Sequence, residues 1–126
     1  MTEPIVYVDR SDIRTQDVAA LRAAIARLVD FVEEREPQLL VYRIHLDEPT
    51  STMWVVAVHP DAASLELHLR IGGPEFRKVG EFIVLRAIDV YGGVGDEVMG
   101  MLQDKARMLG GATVTAHPPL AGFART

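Results

Sequence analysis

The chain has 126 residues, 48% of them hydrophobic and 25% charged, and carries a formal net charge of −5. This length predicts one domain, 1–126, with its own core, and the negative balance predicts no binding to nucleic acid or to anionic membranes. Cysteine is absent, which excludes disulfides, thiol catalysis and cysteine-ligated metals.

The amino-terminal residues MTEPIVYVDRSD contain a short apolar run and early acids, unlike a signal peptide. No apolar stretch in the sequence is long enough to cross a bilayer. We therefore expect a cytoplasmic protein.

The first element is a predicted strand at 5–9, where IVYVD is rich in β-branched and aromatic residues. Thr15 is the predicted N-cap of a helix that ends at about Glu36, because Pro37 disfavours its continuation. The apolar residues of this helix recur at helical spacing and form one stripe: Val18, Leu21, Ile25, Leu28, Val29 and Val32.

Two further strands are predicted at 39–46 (LLVYRIHL) and 53–59 (MWVVAVH), joined by the polar, proline-containing DEPTST. Neither strand alternates cleanly between apolar and polar residues, which predicts that both faces of the sheet are covered. Trp54 shares a strand face with Val56 and Val58, so we expect it to pack in the core or in a dimer.

The rest of the chain predicts two more helices, two more strands and a tail. Pro60 suits the first turn of a helix, and Gly110 and Gly111 supply a helix stop. In order, the elements are a helix at about 60–70, a Gly-Gly-Pro break at 72–74, a short helical segment at 74–82, a strand at 83–91, a helix at about 96–109, a strand at 112–117 and a tail.

The order β-α-β-β-α-β predicts an α+β fold of the ferredoxin-like, split βαβ type, with an antiparallel sheet and an added C-terminal helix and strand. Helices would cover one face of the sheet, and the apolar strands then require a cover for the other face. A second copy of the chain supplies it, which predicts a homodimer. The extension 92–126 would either cover a pocket mouth or reach across to the partner subunit.

The segment VHPDAASLELHLRIGGPEFR at 58–77 holds two of the four histidines. On a helix, His68 lies beside the apolar face formed by Leu65 and Leu69, either as a satisfied core residue or as a pocket residue. Glu66 and Arg70 are spaced as a surface ion pair. His59 and His68 are not at the i, i+4 spacing that places two imidazoles on one metal, so we predict no metal site.

Two other sequence patterns do not predict a cofactor site or a catalytic nucleophile. Gly93 and Gly95 resemble the start of a dinucleotide fingerprint, but Asp96 and Glu97 place negative charge where a pyrophosphate would bind, so we expect a strand-to-helix turn and no cofactor. The sequence contains no Gly-x-Ser-x-Gly, and Ser64 has no obvious base nearby along the chain.

The stretch from Glu36 to Phe82, EPQLLVYRIHLDEPTSTMWVVAVHPDAASLELHLRIGGPEFRKVGEF, resembles the antibiotic biosynthesis monooxygenase family of the dimeric α/β-barrel superfamily. It is similar to the family's proline-to-tyrosine strand, its hairpin, its helix with a histidine and its Pro-x-Phe-like segment. Tyr42, His68 and Phe76 match recurrent positions of that family.

The resemblance implies a homodimer with facing sheets and a pocket between sheet and helices in each subunit. Family enzymes oxygenate phenols, quinols or anthrones with O2, without metal or flavin, because the deprotonated substrate itself reduces oxygen. By this resemblance the catalytic candidates are His68 and His59, because the ordinary pKa of a histidine side chain lies near neutrality. The residues that would contact a small aromatic substrate are Tyr7, Asp9, Tyr42 and Phe76.

Alternatives remain open beside this hypothesis. The haem-degrading branch of the same superfamily is disfavoured, because Asp9, His59 and about Gly80 depart from its pattern. The chain can also be a non-catalytic dimer that binds a small ligand, or a structural or stress-response dimer without a site, since one fold hosts many functions.

Overall fold

The computed structural model describes residues 3–125, which form one five-stranded sheet and four helices. The strands are β1 (Ile5–Ile13), β2 (Val41–Asp47), β3 (Thr52–His59), β4 (Ile83–Tyr91) and β5 (Thr113–His117). The helices are α1 (Val18–Arg35), α2 (Ala62–Ile71), α3 (Gly73–Gly80) and α4 (Gly95–Met108). Among these residues no helix is both long and apolar enough to cross a bilayer.

The sheet confirms the predicted ferredoxin-like arrangement. Its strand order is β2-β3-β1-β4-β5, and the first four strands pair antiparallel. Strand β5 pairs parallel with β4 after the α4 crossover, so the extension adds an edge strand to the sheet. A bulge shifts the β1–β4 register between Arg10 and Ser11.

Several predicted boundaries differ from the structure, and three of the differences have a clear cause. Strand β1 continues to Ile13, because pairing with β3 on one side and β4 on the other holds RSDI extended. Helix α1 begins after Asp17, whose carboxylate accepts a hydrogen bond from the Ala20 amide, and not after Thr15. Helix α2 likewise begins after Asp61, so Pro60 precedes the helix.

The helices pack on one face of the sheet and enclose the hydrophobic core. Helix α1 contacts α3, and α4 contacts α2, β4 and β5. Alternate residues of β1 point into this layer, and they change from apolar Ile5 and Tyr7 to polar Asp9 and Ser11 along the strand. The middle of β1 therefore places the polar side chains of Asp9 and Ser11 in the interior.

The opposite face of the sheet is less uniformly apolar than the sequence suggested. Half-buried valines, among them Val8 and Val56, lie at its centre. Trp54 is 39% exposed on this face and is not a core residue of the chain. Charged residues surround the centre, including an Arg86–Asp12 ion pair of 2.7 Å. The helix-free face thus has an apolar centre and a charged margin.

The Gly-Gly-Pro break allows a test of how tightly α2 and α3 are joined. A Cβ on Gly72 would lie 2.3 Å from Phe76 Cζ and 2.9 Å from the His68 carbonyl oxygen, whereas a Cβ on Gly73 meets nothing within 4 Å. We expect Gly72→Ala to lower the free energy of unfolding by about 1–3 kcal/mol through overpacking. Gly73→Ala, the matched control, should be neutral or slightly stabilising. Urea unfolding of both variants measures this, and equal stabilities would contradict the packing described.

Candidate functional site

Seven polar side chains gather between the sheet and the helices, and we refer to them as the polar cluster. They come from strands β1 and β3, from helices α2 and α4, and from the residue that ends α1. The members are Tyr7, Asp9, Glu36, His59, Ser64, His68 and Lys105. Burying such groups is unfavourable unless they bind one another, so their convergence requires an explanation.

The first part of the cluster is a chain of hydrogen bonds from α4 to β1. Lys105 Nζ donates to the Tyr7 hydroxyl at 2.8 Å, and Tyr7 donates to Asp9 Oδ2 at 2.6 Å. Lys105 Nζ also lies 3.8 Å from Asp9 Oδ2, and its side chain is only 9% exposed. The helix of the C-terminal extension thus pairs its ammonium with a carboxylate at the centre of the sheet.

The second part is a buried carboxylate–imidazole pair. Nδ1 of His68 lies 2.7 Å from Oε2 of Glu36, and both side chains are almost fully buried. Glu36 is the residue that ends α1, so the pair joins the end of α1 to α2. When His68 donates its Nδ1 proton to Glu36, its Nε2 presents a lone pair, which is the arrangement of an oriented general base.

The third part joins His59 to Ser64 across the β3–α2 turn. His59 Nδ1 lies 2.7 Å from Ser64 Oγ, and Gln38 Nε2 donates to the same oxygen at 3.2 Å. The Ser64 amide donates to Asp61 Oδ1, which fixes the first turn of α2. Ser64 therefore has a buried imidazole as neighbour, a contact that the sequence pattern did not indicate.

Aromatic rings surround His68 on three sides. Its ring centroid lies 5.3 Å from Tyr42, 5.5 Å from His59 and 5.0 Å from Phe76. Lys105 Nζ lies 4.2 Å above the Phe76 ring, within the range of a cation–π contact. Phe76 consequently touches both the imidazole of His68 and the ammonium of Lys105.

Two cavities approach the polar cluster from different sides. The larger, about 380 Å³, lies between α2, α3 and α4 and is lined by Leu69, Phe76, Met101 and Lys105 among others. The smaller, about 260 Å³, lies beside the end of α1 and includes Glu36 and Tyr42 in its lining. His68 lines neither cavity, because Phe76 and Tyr42 lie beside its ring.

Burial sets the protonation behaviour of the Lys105–Tyr7–Asp9 chain. Desolvation raises the pKa of Asp9, while the nearby Lys105 charge and the Tyr7 hydrogen bond act against this rise. Desolvation lowers the pKa of Lys105, which the Asp9 charge opposes. The pKa of Tyr7 is raised well above its ordinary value, first by burial and then by Asp9, so Tyr7 stays protonated and donates.

Burial favours the neutral forms of His59 and His68. Burial lowers the pKa of His59 to about 3, and the His68 and Lys105 charges add to this effect. Burial also lowers the pKa of His68, although the hydrogen bond to Glu36 favours its protonated form. Tyr42 has a raised pKa, chiefly because it is buried. Of the two histidines, only His68 has a carboxylate that stabilises a captured proton.

Four buried polar atoms have no hydrogen-bond partner among residues 3–125: Asp9 Oδ1, Ser11 Oγ, Glu36 Oε1 and His59 Nε2. Native interiors satisfy most such atoms, and the exceptions concentrate where a ligand or water binds. Three of the four belong to the polar cluster. The polar cluster therefore retains unused hydrogen-bonding capacity.

The structure brings together all six residues predicted as site residues: Tyr7, Asp9, Tyr42, His59, His68 and Phe76. It places Phe76 at a cavity wall and the two histidines behind the aromatic rings. Their catalytic and substrate-binding roles stay predictions.

Sequence reasoning missed Glu36, Ser64 and Lys105. Lys105 continues the apolar spacing of α4, three residues after Leu102 and seven after Val98, and this spacing places it on the buried face. Glu36 similarly follows Val32 by four residues on the stripe of α1. A charged residue at an apolar position was the available indication in both cases.

The other patterns noted in the sequence have simple structural outcomes. Glu66 and Arg70 form the expected surface ion pair at 2.7 Å. Gly95, at a φ of +82°, begins α4, so the glycines form the expected turn. Across 3–125, no three His, Asp or Glu side chains converge in a way that could hold a metal ion.

Comparison with solved structures identifies the fold. MupZ from Pseudomonas fluorescens superposes with a TM-score of 0.74 at 16% identity, covering 98% of this chain and 96% of MupZ. SnoaB, a cofactor-independent oxygenase from Streptomyces nogalater, gives a TM-score of 0.62 at 14% identity and covers 75% of this chain and 97% of its own. The likeness to MupZ includes the C-terminal helix and strand.

A third structural relative is a candidate antibiotic biosynthesis monooxygenase from Caulobacter crescentus, with a TM-score of 0.62, 16% identity, and coverage of 71% of this chain and 88% of the other. No protein-family model matches the sequence, and no curated protein matches it either. The chain thus has the fold of proteins of the antibiotic biosynthesis monooxygenase type, as the sequence resemblance predicted, at identities that establish fold alone.

Burial of His59 disfavours its protonated form, which predicts that His59 makes a pH-dependent contribution to the free energy of unfolding. Its pKa falls from 6.5 in the unfolded chain to about 3 in the folded protein, so protonation favours the unfolded state below about pH 6.5. His59→Asn keeps a group that can hydrogen-bond to Ser64 and cannot titrate. The stability advantage of the wild type over this variant should shrink by about 3 kcal/mol between pH 7 and pH 4.

Urea unfolding of both proteins at several pH values gives this difference. His68 titrates in both proteins, so its contribution cancels in the comparison. A difference that is independent of pH would show that His59 is not held neutral.

Proposed function

We propose that the protein is a cofactor-independent monooxygenase that oxidises a small phenolic, quinol or anthrone-like molecule with O2. The observation that carries this proposal is the buried Glu36–His68 pair beside the aromatic wall of Tyr42 and Phe76. The shared fold with SnoaB supports the reaction class. The substrate class follows from the family resemblance and from the aromatic and cationic lining of the larger cavity.

In this proposal His68 removes the proton that makes the substrate electron-rich. Nδ1 of His68 donates to Glu36, so Nε2 accepts the substrate proton and the imidazolium is stabilised by the Glu36 carboxylate. His59 is less suited to this role, because burial lowers its pKa to about 3, far from neutrality. We assign His59 and Ser64 to supporting the first turn of α2, which carries His68.

The reaction balances without a second reductant. An anthrone CH2 group loses a proton to the base, the resulting carbanion adds O2 and regains a proton, and the product is a hydroperoxide. Loss of water from this hydroperoxide gives the ketone, so one oxygen atom of O2 enters the product and the other leaves as H2O. The protein need only bind the substrate, move protons and exclude bulk water from the reactive carbanion.

Access to His68 requires movement of an aromatic ring. Phe76 lines the larger cavity and contacts His68 at a centroid distance of 5.0 Å, so displacement of its ring by a substrate ring joins the cavity to the imidazole. The substrate then replaces one aromatic contact of His68 by another.

We also propose that the active form is a homodimer in which the helix-free faces of two sheets meet. The apolar centre of this face, with Val8, Val56 and the 39% exposed Trp54, supports a self-complementary contact. Its charged margin matches the polar rim of protein interfaces. A twin chain would cover the valines that the helices leave open to water.

A second candidate function is non-catalytic binding of a small ligand. The observation that favours it is that Tyr42 and Phe76 flank His68, so neither cavity reaches the imidazole directly. In that case the cavity beside Lys105 would be the binding site, and the polar cluster would serve only specificity. A measurement of turnover distinguishes the monooxygenase from the non-catalytic binding protein.

Oxygen uptake tests the proposed reaction. With 1,8-dihydroxyanthrone or a 1,4-naphthoquinol, the wild type should consume O2 above the spontaneous rate. His68→Asn keeps a donor toward Glu36 but loses the base, and should reduce the rate at least about 100-fold. Leu67→Gln, on the exposed side of the same helix, is the control and should retain activity. Equal rates for wild type and His68→Asn, or no uptake across the panel, would falsify the enzyme proposal.

Sedimentation velocity tests the dimer. At micromolar concentration the wild type should sediment as two chains, and Trp54→Glu should sediment as one, because it places a charge in the apolar contact. Leu67→Glu is a matched control, since Leu67 is equally exposed at 39% but lies on α2. A monomeric wild type would remove the support for the facing sheets.

A further inference from the structure

Lys105 occupies a position that packing alone does not explain. Its ammonium is buried, lines the larger cavity and contacts the rings of Phe76 and Tyr7 at 4.2 Å and 4.8 Å. An ammonium has three donors, and one of them is used by the Tyr7 hydroxyl. The Tyr7 proton is committed to Asp9, so the hydrogen-bond chain points from the lysine into the sheet. Lys105 can therefore donate to a molecule in the cavity.

The charges around the cavity favour a negative group at this point. Arg77 also lines the cavity, and its Nε contacts the Met108 sulfur at 3.1 Å. The one acidic residue of the lining, Asp104, is paired with Arg107. The Asp9 charge opposes the lowering of the Lys105 pKa by burial without covering the ammonium, because the two groups are 3.8 Å apart and the Asp9 hydrogen bond comes from Tyr7. The lining thus presents two cationic groups to a bound molecule.

We propose that Lys105 is the oxyanion-binding residue of the site, and that the substrate is an acidic phenol or enol bound through its deprotonated oxygen to Lys105 Nζ. This inference rests on the proposed function for the identity of the reaction. It assigns to the C-terminal helix a part in recognition: α4 covers the cavity and supplies the charge that selects a deprotonated oxygen.

The charge balance of the interior is preserved by this arrangement. The substrate enters as a neutral phenol, its proton passes to the buried base, and no net charge is brought into the site. The oxyanion is then paired with Lys105, and the imidazolium of His68 is paired with Glu36. Each new charge is formed beside an opposite charge that is already buried, which is the condition for forming ions in a low-dielectric site.

A chromophoric phenol tests the inference without turnover. 4-Nitrophenol absorbs differently as phenol and phenolate, so its ionised fraction can be measured when it is bound at a pH near its own pKa. We expect binding to the wild type to raise the ratio of phenolate to phenol about tenfold, as an opposite charge at contact distance does. Lys105→Met should abolish this rise, and Lys105→Arg, which keeps the charge, should retain most of it.

The chain contains only two lysines, Lys78 and Lys105, which gives a clean control. Lys78 is exposed and paired with Glu75 at 3.1 Å, so Lys78→Met should leave the ionised fraction unchanged. In wild-type protein with ¹³C-labelled lysine, the Lys105 Cε resonance should shift on addition of 4-nitrophenol and the Lys78 resonance should not. This measurement on unaltered protein stays decisive if Lys105→Met fails to fold.

Absence of 4-nitrophenol binding, an unchanged phenolate ratio, or a static Lys105 resonance overturns the inference. These outcomes are independent of oxygen uptake. A raised phenolate ratio without O2 consumption would leave Lys105 as an oxyanion site in a binding protein, and O2 consumption without a raised ratio would leave an oxygenase that recognises its substrate in another way.

Discussion

The structure depends on hydrogen-bonded polar and charged groups that are buried in pairs between its sheet and its helices. A buried charge is tolerated when another buried group pairs with it, and removal of one partner costs several kcal/mol. Lys105 of α4 meets Asp9 of β1 through Tyr7, and His68 of α2 meets Glu36 at the end of α1. These contacts therefore join α4 to β1 and α2 to the end of α1. They also keep titratable groups beside cavities large enough for a small aromatic molecule.

The pattern of apolar residues was sufficient to predict the fold. Helix α1 follows its stripe from Leu21 to Val32, and β4 matches the predicted strand at 83–91. The boundaries that shifted, at Ile13 and Asp17, depend on partners distant in sequence or on a cap competing with a nearby alternative. Thr15 Oγ1 accepts a hydrogen bond from the Asp17 amide at 3.0 Å, so Thr15 supports the N-cap residue, which is Asp17. Tertiary packing decides which of two nearby polar residues becomes the N-cap.

The site was predictable only in part, because the fold brings together residues that are distant in the sequence. His68 and Phe76 could be found because they belong to one local segment that resembles a known family. Glu36 lies 32 residues before His68, and Lys105 lies 98 residues after Tyr7, so their partners could not be inferred from spacing. The sequence did mark both as charges on apolar faces. The sequence alone did not show how the strands and helices pack, and this packing brings Glu36 and Lys105 into one cluster.

The account as a whole rests on a neutral His68 that takes up the proton of a bound phenol while Glu36 holds its other nitrogen. ¹⁵N NMR of the four histidine rings measures this most directly, because the two nitrogens of each ring report tautomer and charge separately. The account predicts a neutral His68 protonated on Nδ1 in the free protein and an imidazolium once 4-nitrophenol is bound. A His68 that is already an imidazolium in the free protein, or one that stays neutral in the complex, would contradict it.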